Sequence, residues 1–448
     1  MPEAIGPLVA AVDFGASSIR VAVVDLGHRP LEPVIVHRHQ HAPVRHPDGS
    51  LRWDWGTLVT EARRGLALAA EFGPLASIGI DTWGLDYGLI DDAGRLVAPP
   101  HSYRDPRLER WHAVADRIGR RRIYDITGIQ LMAGNSLFQL AAHDRRELAR
   151  TRHVLMLPEL LLHDLCGVVL AERTSAGTTS LVDLRTGTWS EELIAEIDAD
   201  PAWFPEIRSA GELVGTHDGV PVHLVGGHDT ASAVLAMGPE PSPDSVFLSA
   251  GTLFLVGREE HHATTDDASF ARNLANEPGV YGGVRRLGNL PGMWLLEECR
   301  RIWDVPSVAD LLDDLAADGS SRPGDAVVID IDDPSLVAPA DMPAAVRRLA
   351  DLPETVDRRT IINCIVESLA VAVAGAVDRI DDSGGDAPLL VFGGASRATH
   401  LLDRIAARCG RSVQIGPTEA TTLGNALSQG MALGVFADIA QARRSLAP

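Results

Sequence analysis

Residues 8–13 (LVAAVD) and 19–25 (IRVAVVD) are apolar runs on either side of Phe14-Gly15-Ala16-Ser17-Ser18. Two such runs around a small-residue turn predict a β-hairpin. Apolar positions then recur at helical spacing over 56–72, and LASIGIDTWG at 75–84 predicts a buried strand ending in polar side chains. Residues 108–127 and 136–148 read as helices. VHLVGGHD at 222–229 predicts a strand running into a loop, and TASAVLAM after it a helix. Strands alternating with helices predict an α/β domain.

The pattern restarts past the middle. GPEPSPDS at 238–245 is the most linker-like stretch, rich in proline, glycine and serine, and sets a predicted boundary between domains 1–237 and 238–448. SVFLSAGTLFLVGRE at 245–259 is again strand, small-residue turn with a hydroxyl, strand, a weak repeat of VAAVDFGASSIRVAVVD. TIINCIVESLAVAVAGAVDRI at 360–380 predicts a long buried helix, LLVFGGAS at 389–396 a strand into a Gly-Gly turn, and the remainder is mostly helical.

A length of 448 residues suits two to four domains. The formal net charge of −21, with no basic tail, argues against non-specific nucleic-acid binding, which runs on basic surface. All forty basic residues are arginine, so the phosphate loop G-x-x-x-x-G-K-[ST] is absent. Any phosphate site must use backbone N–H groups, hydroxyls, arginine or a metal. Cys166, Cys299, Cys364 and Cys409 are far apart and form no C-x-x-C, the pattern of a reduced cytosolic protein. MPEAIGPLVAAVDFG lacks the charged and apolar regions of a signal peptide. There is no run of eighteen apolar residues, so no membrane span and a cytoplasmic location are expected.

The first turn is where chemistry enters. Its small residues let backbone N–H groups approach an anion closely. Ser17 and Ser18 add donors and Arg20 adds charge, while Asp13 at the strand end suits a hydrated Mg²⁺. A plain β-turn has the same composition. A second such turn, Ala250-Gly251-Thr252, and the later Gly393-Gly394 together resemble the plan of actin-like ATPases. More narrowly, VDFGASSIR, GIDTWGLDYGLIDDAGRL, YRDPR, TGIQ, NSLFQL, GGHDTASAV, SAGT, GNLPGMWLLE, VESLA, FGGAS and GPTEATTLGN follow one another from residue 8 to about residue 425. The ordered series resembles the FGGY carbohydrate kinases and, within them, looks most like the rhamnulokinases.

That resemblance implies a two-domain α/β actin-like ATPase (ribonuclease H-like) fold with a nucleotide cleft between the domains, the first binding sugar and the second nucleotide. It implies transfer of the γ-phosphate of ATP to a ketose hydroxyl, L-rhamnulose giving L-rhamnulose 1-phosphate. Another ketose, such as L-fuculose or a xylulose, and a non-catalytic sensor of the same fold are the alternatives. Asp229 matches the catalytic base, although an Asp before Thr230-Ala231-Ser232 also suits a helix N-cap. His228, Thr230, Gly84, Asp86 and Asn289 match substrate-binding positions. Ala16, Ser17, Ser18, Arg20 and Thr252 match phosphate contacts, Glu297 and Gly394 further nucleotide contacts, and Asp13 the Mg²⁺ site. Trp83 fits either the core or the site, and Tyr103, Arg104 and Asp105 lie close to the strand-end surface.

Four residues depart from the family pattern: Ile19 for a glycine, Leu253 for an aromatic, Glu297 for a glutamine and Ala398 for an asparagine. The carboxylate of Glu297 would repel a triphosphate unless a cation or Arg300 compensates it. His261-His262 beside Asp266 and Asp267 reads as a solvated loop, since it lacks fixed metal-ligand spacing. Neither G-x-S-x-G nor G-x-G-x-x-G after the first strand is present, which leaves a serine hydrolase and a dinucleotide reductase unsupported.

Overall fold

A computed structural model describes residues 6–242, 244–316, 326–337, 339–381, 385 and 387–447. Pro243 of the predicted linker lies outside them. The chain forms two compact units, one of Met1–Glu240, Glu260–Arg286 and Glu419–Pro448, the other of Pro241–Glu259 and Leu287–Thr418.

The first unit is built on a six-stranded sheet in the order Leu213–His217, Val220–His223, Leu75–Thr82, Leu8–Gly15, Ser18–Asp25, Pro33–Gln40. Leu8–Gly15 is central and covered on both faces, which is why its sequence is continuously apolar instead of alternating. Its side chains still alternate in direction. Leu8, Ala10, Val12 and Phe14 join a core with Trp55, Leu58 and Leu66 of helix Trp55–Ala70. Val9 joins another core with Ala231 and Leu235 of helix Asp229–Leu235 and Leu427 of helix Ala420–Ala432. By the same alternation Asp13 points to the Val9 side. The two helices on that side cross closely: a Cβ on Gly424 would fall 1.7 Å from the Ser232 carbonyl oxygen, so no larger residue fits without moving a backbone.

The first hairpin is tighter than its sequence suggests. The strands continue to Gly15 and resume at Ser18, leaving only Ala16 and Ser17 as the loop. The predicted helix at 108–127 is broken. Asp105 caps a short 3₁₀ turn, Pro106–Arg110, and Gly119 at φ 101° separates Trp111–Ile118 from Arg120–Thr127. The helix predicted at 136–148 likewise ends at Ala141 and restarts at Arg145, where the Asp144 carboxylate accepts from the Arg146 N–H at 2.7 Å. In both places a local backbone preference overrides a continuous apolar period.

Strands Val284–Pro291, Leu253–Glu260, Val246–Ala250, Leu389–Phe392 and Val413–Ile415 are neighbours in that order and belong to the second unit except for residues 284–286 and Glu260, which belong to the first. Helix Arg358–Ile380 is 23 residues long and apolar enough, by length and composition, to cross a membrane, but 67% of its most apolar stretch is buried inside the protein. It is a core helix. It also carries Glu367, which is fully buried and held by Arg404 at 3.1 Å and by Arg408. A carboxylate so paired is tolerable in a protein core and costly in hydrocarbon.

Candidate functional site

The pairing of Leu8–Gly15 with Leu75–Thr82 is parallel and puts Asp13 beside Asp81. Both are fully buried. Burial raises the pKa of each; the Asp13 carboxylate raises that of Asp81 further, while Arg20 pulls Asp13 back down against Asp229 and Glu419. Arg20, cross-strand partner of Asp13, binds it at 3.0 Å and also binds Glu419 at 2.8 Å. The Thr422 hydroxyl donates to Asp13 Oδ2 at 3.3 Å, and the Asn425 amide donates to Asp81 Oδ2 at 2.6 Å. Asp13 Oδ1 and Asp81 Oδ1 are buried without a hydrogen-bond partner. Unpaired carboxylate oxygens at such depth are costly unless a cation or proton satisfies them, so the pair fits a divalent-metal site.

The turn beyond Asp13 is pinned by His41. Its backbone N–H donates to the Ser17 carbonyl and its Nε2 to the Gly15 carbonyl, each at 3.0 Å. Burial lowers the His41 pKa to about 4, so the ring is neutral at neutral pH. Ile19, where the family has glycine, is wholly buried in the core below the turn.

Asp229 begins helix Asp229–Leu235, and the N-cap residue is His228. The N-cap expectation is therefore off by one position. The Asp229 side chain keeps a quarter of its surface open. Burial raises its pKa, against the pull of His228, Thr230 and Arg20. Its Oδ1 accepts from the Thr230 N–H at 2.6 Å and hydroxyl at 3.2 Å and lies 3.5 Å from His228 Nε2. All three contacts fall on one oxygen. The loop before it is anchored from below by Glu172, which accepts from the Gly227 N–H at 2.9 Å and the Thr174 hydroxyl at 2.5 Å. Thr174 in turn accepts from the His228 N–H at 3.0 Å.

Asp86 is fully buried, and burial raises its pKa to about 6. It accepts from Trp53 Nε1 at 2.7 Å, Trp83 Nε1 at 3.0 Å and Gln139 Nε2 at 3.0 Å. A carboxylate has about four acceptor positions, so about one is left for a ligand. Trp83 packs on Trp53, with ring centroids 4.6 Å apart, and so serves the core while orienting Asp86. Gly84 is crowded by protein: a Cβ there would meet the Thr178 side chain at 2.8 Å. Asp105 pairs with His101 at 3.1 Å and Arg107 at 3.6 Å, and Arg104 sits over the Tyr103 ring.

In the second unit, Thr252 tips the hairpin closed by the Ala250–Phe254 pair. Its carbonyl accepts from the Trp294 N–H at 3.0 Å, and the Gly251 carbonyl from the Met293 N–H at 3.3 Å. Three residues along the same helix, Glu297 binds Arg300 at 2.6 Å, the compensation its charge requires. Asn289 lies in strand Val284–Pro291. Gly393 at φ 92° turns the chain into Gly394, beside which there is open space, and Ala398 caps the next helix.

Asp81, Glu419, Glu172, Glu277 and Arg285 were not singled out from sequence. For Asp81 a signal existed, an acid at the end of a buried strand. His261 and His262 are exposed. Among the described residues, His101, His143 and Glu147 also bring ligand atoms within 4.8 Å of one another, but Arg52 at 2.8 Å and His143 at 2.8 Å already satisfy Glu147.

Paired hairpin turns, a strand-end aspartate and a carboxylate at a helix start define a phosphoryl-transfer fold of the sugar-kinase type. Residues 8–236 and 246–433 match the N-terminal and C-terminal domains of the FGGY family of carbohydrate kinases. The chain is 36% identical over 452 aligned residues to a rhamnulokinase from Klebsiella pneumoniae subsp. pneumoniae, covering 97% of this chain and 91% of that one. Its fold is similar to that of a gluconate kinase from Lactobacillus acidophilus (TM-score 0.80, 14% identity, 99% and 92% of the two chains). It is likewise similar to a ligand-bound xylulose kinase from the same organism (TM-score 0.78, 13% identity, 99% and 92%). The chain belongs to the FGGY family of carbohydrate kinases, ATP-dependent enzymes with a two-domain fold of the actin-like ATPase type.

Proposed function

We propose that this kinase transfers the γ-phosphate of ATP to O1 of L-rhamnulose. The observation that carries the chemistry is Asp229: Oδ1 is tied to Thr230 and faces His228, while Oδ2 takes part in none of these contacts. Oδ2 accepts the proton of the sugar hydroxyl as the new O–P bond forms and the bond from the γ-phosphorus to ADP breaks. A carboxylate with a raised pKa is a better proton acceptor than an exposed aspartate. The 36% identity to a rhamnulokinase supports the choice of sugar.

Asp86, with about one acceptor position left, takes a sugar hydroxyl. His228, Thr230, Gly84 and Asn289 complete the sugar contacts. Ala16, Ser17, Ser18, Arg20 and Thr252 contact phosphates, and Glu297 and Gly394 the remainder of the nucleotide. Asp13 and Asp81 would hold Mg²⁺, which when bound neutralises charge on the β- and γ-phosphates. Residues 1–237 and 238–448 are assigned as sugar-binding and nucleotide-binding segments. The four unpaired cysteines fit work in the cytoplasm, where ATP is supplied. A panel of L-rhamnulose, L-fuculose and D- and L-xylulose with MgATP, following ADP release, tests the reading. The highest kcat/KM is expected on L-rhamnulose. A clear preference for another ketose would reassign the substrate, and no turnover on any would favour a sensor.

A further inference from the structure

Behind the proposed base lies a buried ion pair with no part in the phosphoryl transfer just described. Arg285 is 1% exposed and among the largest fully buried side chains of the protein. It binds Glu277 at 2.9 Å and donates from Nε to the Pro278 carbonyl at 3.2 Å. Burial pushes the Glu277 pKa up, but the Arg285 guanidinium holds it down at about 2, so the pair is ionised. The Arg285 guanidinium also donates to His228 Nδ1 at 3.2 Å. Glu277 comes within 3.3 Å of the same nitrogen, without hydrogen-bond geometry. The other ring nitrogen, Nε2, is the one 3.5 Å from Asp229 Oδ1.

A neutral imidazole carries one N–H, and the bond made at one nitrogen decides where it sits. With the proton on Nδ1, the Arg285 donor would meet another donor, and an Nε2 lone pair would face a carboxylate oxygen. With the proton on Nε2, the contacts to Arg285 and Asp229 are both favourable, and the Glu277 oxygen near the bare Nδ1 is offset by the guanidinium it pairs with at 2.9 Å. Glu277 keeps the guanidinium in place and neutralises it, so that Arg285 is not left as an unpaired buried charge.

We infer that the buried Glu277–Arg285 pair is a positioning device that fixes His228 as the Nε2–H tautomer, so that the ring donates toward Asp229 Oδ1 and leaves Oδ2 for the sugar hydroxyl. The inference rests on Asp229 being the base. Arg285 and Glu277 act through His228, not on the substrate. A wrong tautomer beside an intact catalytic group is known to be costly in enzymes that depend on an oriented imidazole.

The test begins with the wild-type protein. ¹⁵N-imidazole NMR of histidine-labelled enzyme, with the His228 signals assigned by their loss in His228→Gln, should show Nε2 protonated and Nδ1 bare. A protonated Nδ1 overturns the inference with no further variant needed. The double variant Glu277→Gln/Arg285→Met removes both charges together and avoids a stranded ion. It should shift the His228 signals toward Nδ1–H and lower kcat/KM for the sugar by about tenfold, the scale of an outer-shell partner, with KM for ATP unchanged. Unchanged His228 signals, or an equal loss for both substrates, would make the pair merely structural. Asp229→Asn separates the two failures: if it is inactive while the double variant is normal, the base stands and the positioning device falls.

Discussion

The two hairpins that open the two halves of the chain share a plan and differ in what they carry. The first has a two-residue loop, and three positions from its tip the cross-strand pair is Asp13 with Arg20. The second is closed by Ala250 and Phe254, and the pairs behind it are Ser249 with Leu255 and Leu248 with Val256. Both hold their turn carbonyls with neighbouring N–H groups, from His41 in one case and from Met293 and Trp294 in the other. The first hairpin thus adds buried charge to a shape that the second offers almost entirely in backbone. Family membership explains why both turns exist. The contrast shows that one unit gathers the ionisable chemistry: Asp13, Asp81, Asp86 and Asp229 are all in the first unit and all have raised pKa values, with burial the largest cause.

Removing that chemistry is the strongest way to break the contrast. Asp229→Asn should lower turnover by about 10²-fold or more, the range for a general base, with sugar affinity by calorimetry nearly unchanged. Near-normal turnover would move the base elsewhere.

Packing gives the next largest difference. Gly424→Ala forces a methyl to within 1.7 Å of a backbone oxygen, whereas Gly394→Ala enters open space. Chemical denaturation should show a loss of about 2–3 kcal/mol for the first and under about 0.5 kcal/mol for the second. Similar values for both would mean that the crossing of helices Asp229–Leu235 and Ala420–Ala432 is looser than drawn.

Asp86 sharpens the comparison through pH. Its pKa is raised to about 6 from an ordinary 3.8. The folded state therefore binds the proton more tightly than the unfolded chain, and the stabilisation from that proton is full below pH about 4 and lost as pH rises through about 6. Asp86→Asn should remove this part of the pH dependence of Tm between pH 4 and 7. It should also cost about 1–3 kcal/mol, because one amide cannot accept from two indoles and from Gln139 at once. A wild-type-like pH slope in the variant would assign that dependence to other carboxylates.

The smallest effect is expected in the second unit. Glu297 already has Arg300 at 2.6 Å, so Glu297→Gln removes a compensated charge. KM for ATP should change less than about threefold, since an exposed pair is worth about 0–1 kcal/mol. A larger change would show that Arg300 does not compensate Glu297 once the nucleotide is bound, or that Glu297 orients Arg300 toward it.

The hairpins, the Gly-Gly turn and the long buried helix were legible because each is a local pattern of apolar runs and small residues. The breaks at Gly119 and Asp144 were locally visible too, but an uninterrupted apolar period masked them. Asp13 was reached from its place at the end of the first apolar run, and Asp229 through ordered motifs. Arg285 and Glu277 were not reached at all. In sequence they are an arginine beside Arg286 and a glutamate in a short strand, and only the fold brings them to His228, more than 45 positions earlier. Glu172 escaped for the same reason, lying 55 positions from the Gly227 N–H it holds. The local half of the site is written in motifs, while the shell that orients it is written in contacts between distant segments.

The return of helix Ala420–Ala432 to the first sheet has a consequence for synthesis. Thr422 reaches Asp13 across 409 positions, and Asn425 reaches Asp81 across 344. At about 5–20 residues per second, a ribosome takes on the order of 20–80 s to pass from the first member of the longer pair to the second. From residue 223, when the last strand of the first sheet has been made, until residue 420, the nascent chain has that sheet but not the helix that closes over Asp13 and Asp81. The corner around Asp13 and Asp81 is therefore among the last parts of the protein to be finished, and a chain released before residue 420 contains Asp229, both turns and most of the core without Thr422 and Asn425 to hold those two aspartates.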